Sequence, residues 1–181
     1  MHRRVASAIL LLWLVLPGLA LAQSGSLGES PALVVKRYVT LDKKGARLDA
    51  PSFETLTPYI DWQEEPLWGR IVVIDDVTVA DDYRQWEIVN ALHVVVPATF
   101  HVLGAVYMET ASFVPDAATE EVRFRVKEVR AKWRIVEPVI PPHVGLKRLI
   151  DMVRVEELKE TNAEKRGALA ALRETLRKAA R

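Results

Sequence analysis

The chain has no cysteine among its 181 residues. That excludes disulfides, thiol nucleophiles, cysteine metal sites and lipid attachment at an N-terminal cysteine. An excess of either charge is also missing. There are 25 basic and 24 acidic residues, a formal net charge of +1. A nucleic-acid partner therefore has no global electrostatic footprint. The chain has only eight glycines and ten prolines, in no regular period, so it is not collagen-like or of low complexity. No internal repeat is visible. It also lacks any apolar run long enough to span a bilayer, which takes about 20 residues.

What is present is apolar enough to fold. Half of the residues are hydrophobic and 27% are charged, so a buried core can offset the ordering entropy that keeps polar chains disordered. The start is set apart. Cationic His2, Arg3 and Arg4 precede an uncharged run at 5–16, Pro17-Gly18 breaks it, and Ala20-Leu21-Ala22 offers small residues for a signal peptidase. The pattern predicts a secretory signal peptide at 1–22, cleaved after Ala22, a Ser/Gly linker at 23–29, and an extracytoplasmic mature protein without a membrane span. Retention of the leader as an anchor is the alternative.

The mature charge is uneven. Residues 23–146 carry 13 basic and 18 acidic side chains (net −5), and residues 147–181 carry 10 and 6 (net +4). The predicted division is a domain at 30–155 followed by a basic amphipathic helical tail at 156–181. The tail's stripe of Leu169, Leu172 and Leu176 spans only two turns. A solvated helix, dispensable for folding, is expected there, with pairing to another chain or to an anionic membrane surface as alternatives.

Within the domain, Ser30-Pro31 reads as an N-cap and first helical residue. Val34, Tyr38 and Leu41 then repeat at helical spacing as far as Gly45, predicting a helix over 31–44. Ser52 is positioned to cap a second helix over 53–60. From Arg70 the period becomes strand-like. Strands are predicted at 70–79, 83–96, 99–113, 122–127 and 133–139. Pro97-Ala98 separates the second from the third, 115–119 is a loop, and Arg130-Ala131-Lys132 is a tight turn. Strands in succession without intervening helices predict an antiparallel sheet. The fold class is α+β: a curved antiparallel sheet wrapped over N-terminal helices, a cone, with a C-terminal helical extension. A cavity between helices and sheet would be the ligand site.

Particular residues resemble the nuclear transport factor 2-like superfamily. They are Leu33-Val-Val-Lys-Arg-Tyr-Val39 with its Lys-Lys-Gly turn, Ala98-Thr-Phe-His-Val-Leu-Gly104, Val122-Arg-Phe-Arg-Val126, and Lys132-Trp-Arg-Ile135 followed by Pro138 and Pro141-Pro-His143. The resemblance covers about residues 30–149 and implies the same cone. That superfamily hosts enzymes, carriers and adaptors, so the fold does not choose among them. The first helix is similar to that of bacterial ketosteroid isomerases, whose oxyanion-hole tyrosine corresponds to Tyr38. Their catalytic aspartate-proline has its nearest counterpart in Glu65-Pro66. Their second oxyanion-hole acid has no match.

Other side chains carry chemistry of their own. Asp75-Asp76 interrupts a Val/Ile strand, so one carboxylate points inward as a candidate base or the pair marks a wet bulge. His93 and His101 flank the predicted turn at Pro97-Ala98, and a two-residue connection aims them at opposite faces, so that a metal pair would need a one-residue slip or bulge. His143 is a packing or capping residue. Trp62 and Trp68 bracket an acidic loop at 61–69, where they rim the cavity, face a partner or plug the cone. Trp133 belongs to the core and lines the same cavity. The candidates are thus Tyr38, Glu65, Asp75 and Asp76 for catalysis, and Tyr38, Trp62, Trp68, His93, His101 and Trp133 for a ligand. No metal or cofactor is expected. The function this supports is an exported, non-catalytic binding or interaction module of the cell envelope, holding a small apolar ligand or joining a second copy or an envelope protein. The rival is a small-molecule isomerase, dehydratase or hydrolase.

Overall fold

The computed structural model describes residues 29–48 and 53–179. The predicted signal peptide with its cleavage point, nearly all of the linker, and the Ser52 cap lie outside them. Helix α1, Pro31–Lys43, starts as its sequence requires. The Ser30 hydroxyl accepts the Leu33 N–H at 3.2 Å, and proline occupies the first turn, where no N–H is needed. The helix buries Val34, Val35, Tyr38 and Val39 along one face and ends before Gly45, whose φ of +79° suits glycine. Helix α2, Phe53–Leu56, is a single turn, shorter than expected.

The sheet comprises β1 (Ile71–Val79), β2 (Glu87–Asn90), β3 (His93–Tyr107), β4 (Ser112–Val129), β5 (Lys132–Glu137) and β6 (His143–Gly145). Their order is β5-β4-β3-β1-β6, with β2 pairing the first residues of β3. Every pairing is antiparallel except the short β6, which lies parallel to β1 and makes the sheet mixed. The sheet curls strongly around α1, giving the expected α+β class.

Two expectations about the strands are corrected. Pro97-Ala98 is not a turn, because β3 runs through it. The reversal falls earlier, where the Asn90 side chain accepts the Leu92 N–H at 2.9 Å. Pro97 is tolerated because β3 changes neighbours there: β2 reaches Val95 and β1 begins opposite Ala98. Its carbonyl still accepts Ala80 N–H at 3.0 Å. Residues 115–119 are not a loop but part of β4, with Pro115 opposite Gly104 at a bulge. The turn at Arg130-Ala131 is as expected, with φ of 52° and 62°.

Two bulges exchange the faces of the sheet. One lies at Asp75 in β1 and the other at Gly104 in β3. Before the first bulge Val72 and Ile74 face α1, whereas Ile71 and Val73 face away; beyond it Val77 and Val79 rejoin the α1 side. In β3, residues Val94 through Val102 alternate toward α1, but past Gly104 Val106 faces the opposite side. The described residues therefore form two cores, one on each face. The first joins α1 to Phe100, Phe124, Val126 and Ile135.

The second core lies under α3 (Leu146–Lys159) and α4 (Ala163–Ala179). The Asn162 side chain caps α4, accepting the N–H groups of Glu164 and Lys165 at 2.9 and 3.0 Å. Leu169, Leu172 and Leu176 are buried with Ile71, Val73, Val106, Val144, Leu149 and Val153. This overturns the expectation of a solvated terminal helix: its short stripe meets a sheet face that the bulges have made apolar. Among the described residues, no helix is long and apolar enough to cross a membrane.

Candidate functional site

Tyr38 lies on the buried face of α1, fully enclosed. Its ring meets Phe124 and Trp62 edge-on, with centroids 5.7 and 6.0 Å away. Its hydroxyl accepts a hydrogen bond from Arg47 Nη1 at 3.1 Å. Arg47, just beyond α1, has only 1% of its side chain exposed. A buried guanidinium needs acceptors for its donors. Asp42 Oδ2 lies 3.3 Å from Nη1, and the carbonyl of Ile140 accepts Nη2 at 2.7 Å. Glu65 Oε1 accepts Nε at 2.8 Å, and Nη2 also bonds to it. The Trp68 indole N–H donates to the same oxygen at 2.9 Å.

Asp42 ties this cluster to the sheet, its Oδ2 accepting the backbone N–H of His143 at 2.9 Å. The His143 ring sits 4.6 Å from Phe100, and its Nδ1 lies 2.7 Å from the Pro141 carbonyl, to which it donates. Enclosure sets the proton affinities. Burial raises the Asp42 carboxyl to about 6 against the opposing pull of Arg47 and the His143 N–H. Burial lowers His143 to about 4. Burial drives the Tyr38 phenol well above its ordinary value, only partly offset by Arg47. Burial opposes the Arg47 charge, but Asp42, Tyr38 and Glu65 together outweigh it and hold the guanidinium above its usual value.

Tyr38 and Glu65 thus meet in one network, joined by Arg47. The phenol oxygen accepts from a cation instead of facing an open site. Glu65 Oε1 takes its hydrogen bonds from Arg47 and the Trp68 indole. Neither Arg47 nor Asp42 was among the sequence candidates. Asp42 could have been found: it follows Tyr38 by four residues, so it shares the buried helix face, and a carboxylate there demands a cation.

The remaining candidates lie elsewhere. Asp75 and Asp76 are both exposed at the β1 bulge, so the wet alternative holds. Asp76 pairs with Lys43 at 2.7 Å, and that hydrogen bond lowers its pKa. Trp62 packs on Tyr38 with its indole nitrogen buried and unpartnered. Trp133 is half-buried against the first core. His93 and His101 do not point to opposite faces. Both lie on β3 at alternating positions of the outer side, far apart along the strand, and His101 is exposed. No group of three metal-ligating side chains occurs among the described residues.

The interior that was expected to hold a ligand is filled by Tyr38, Phe100, Phe124 and Ile135. Space appears outside it. A groove of about 960 Å³ runs between the end of α1 at Lys43 and Lys44, the β1 bulge, and the start of α3. Ile74, Leu103, Leu146 and Ile150 give it an apolar floor. A second hollow of about 150 Å³ lies beside His143, lined by Arg70, Asp116, Glu120 and Val122. The chain matches no protein-family model, no curated protein and no solved structure.

Proposed function

We propose that the chain is an exported, non-catalytic binding module of the cell envelope, built on a cone of the nuclear transport factor 2-like kind. Its ligand is small and mainly apolar, and it occupies the outer groove instead of the cone. The observation that carries this reading is the groove itself, whose size suits a small molecule and whose floor is apolar. The leader-like start at 1–22 supports export. Weighing against the isomerase, dehydratase or hydrolase alternative is Arg47, which engages both Tyr38 and Glu65.

The test uses the protein expressed with its own leader and recovered from the periplasm, expected to begin at Gln23. Added N-phenyl-1-naphthylamine should brighten and shift to the blue. Leu103→Trp, which fills the groove floor, should weaken that response at least about tenfold with little change in melting temperature. A chain that stays in the cytoplasm, or a probe response indifferent to Leu103→Trp, overturns the reading.

A further inference from the structure

The sheet has one long unfinished edge. Strand β4 pairs with β3 along nearly its whole length, but β5 covers it only from Arg125 to Val129. Phe113 at the other end packs against the second core. Between them, residues 115–123 have no strand on their outer side among the described residues. Residues 114–121 are exposed on both faces, so this part of β4 stands out as a wing. About half of its backbone N–H and C=O groups point away from β3, toward solvent and with no backbone partner among the described residues.

The wing is acidic. It carries Asp116, Glu120 and Glu121, against Arg123 alone, and Arg123 is already engaged by Glu87 at 3.0 Å and Glu121 at 3.5 Å. Glu120 lies opposite Phe100, whose side chain is in the first core, so Glu120 faces inward. It lines the 150 Å³ hollow with Asp116, two carboxylates against the single guanidinium of Arg70.

We propose that the 115–123 edge of β4 receives an extended basic segment of another protein by strand addition. Backbone groups of the segment complete the ladder, and alternate lysine or arginine side chains enter the hollow between Asp116 and Glu120. A second copy of this chain fits less well. Two β4 wings pairing antiparallel bring three carboxylates from each copy into one ribbon, and like charges across a strand pair repel. The inward Glu120 and the edge Pro115 also belong to the devices that keep exposed edges from pairing with themselves. The site is separate from the outer groove, so this inference stands without the proposed function.

The test is titration of the isotope-labelled mature chain with the peptide acetyl-Thr-Lys-Val-Lys-Val-Lys-Thr-amide. The amides of residues 116–123 should shift, those facing the peptide should gain protection from hydrogen exchange, and binding should weaken with salt. Methylating alternate backbone nitrogens of the peptide should abolish binding on one register only. The double variant Asp116→Lys, Glu120→Lys should bind at least about tenfold more weakly. If it fails to fold, Asp116→Asn and Glu120→Gln singly serve the same purpose, each with a smaller loss. No shift at about 1 mM peptide overturns the proposal, as does equal binding of the glutamate-for-lysine peptide. Protection of 115–123 in the free protein together with dimers in sedimentation assigns the edge to a second copy and overturns it as well.

Discussion

Asp42 and His143 share a hydrogen bond and answer pH in opposite senses. The Asp42 carboxyl rises from 3.8 to about 6 on folding, so the folded state holds its proton more tightly than the unfolded state. Its contribution is complete at low pH and is lost as pH rises through about 6. His143 falls from 6.5 to about 4, so the unfolded state holds its proton more tightly. Its contribution is complete above 6.5 and is lost as pH falls toward 4. Between about 4 and 6 the two slopes oppose each other. Asp42→Asn removes one of them, and above pH 6 it also costs stability by depriving Arg47 of an anion. It should also steepen the pH dependence. Between pH 6.5 and 4.5 the variant should lose on the order of 2 kcal/mol more than the wild type, measured by urea unfolding at both values. Parallel pH profiles for the two proteins would show that the pair does not titrate in this window.

At the scale of elements, helix α1 was legible because every local signal agreed: cap, proline, helical spacing of Val34 and Tyr38, and the glycine stop. The turn before β5 was legible for the same reason. The hairpin at Asn90 was not, because Val and Ile crowd both sides of it and Pro97 gave the stronger local signal for a break. Its tolerance depends on which strand lies beside it, a tertiary fact. The bulges at Asp75 and Gly104 were hidden in the same way, although Asp75-Asp76 was correctly open to a bulge. The candidate site was half legible. Tyr38, Glu65 and Trp68 were named, but the residue that joins them, Arg47, lies outside any periodic segment. Gly104 can be tested directly. Its φ is +149°, and a Cβ there would lie 2.2 Å from the Val114 carbonyl oxygen and 2.9 Å from the Phe113 ring. Gly104→Ala should therefore cost about 3 kcal/mol or more, read as a large drop in melting temperature. A melting point within a degree or so of wild type would mean that the strand relaxes without a bulge.

For the whole molecule, the two faces of one sheet bind the cores to each other. Strand β1 sends Val72 and Ile74 to the first core and Ile71 and Val73 to the second, so neither can be disturbed without moving a shared backbone. Helix α4 is the outer wall of the second core. Burial of Leu169, Leu172 and Leu176 is worth roughly 2 kcal/mol each by transfer bookkeeping, a large part of the 5–15 kcal/mol that holds a domain together. Charge argues the same way on a smaller scale: Arg173 of α4 meets Glu157 of α3 at 3.0 Å, with both side chains mostly buried. Truncation after Glu160 should therefore prevent folding or lower the melting temperature by far more than a few degrees, contrary to the dispensable tail that the charge boundary suggested. In the full chain, Leu172→Ala and Leu176→Ala should each cost about 2–5 kcal/mol and keep one cooperative transition, because the damaged core cannot melt without the sheet. A truncated chain that unfolds at nearly the wild-type temperature would show that α4 merely rests on a sheet face stable without it. Two separate transitions in the leucine variants would show that the cores fold independently.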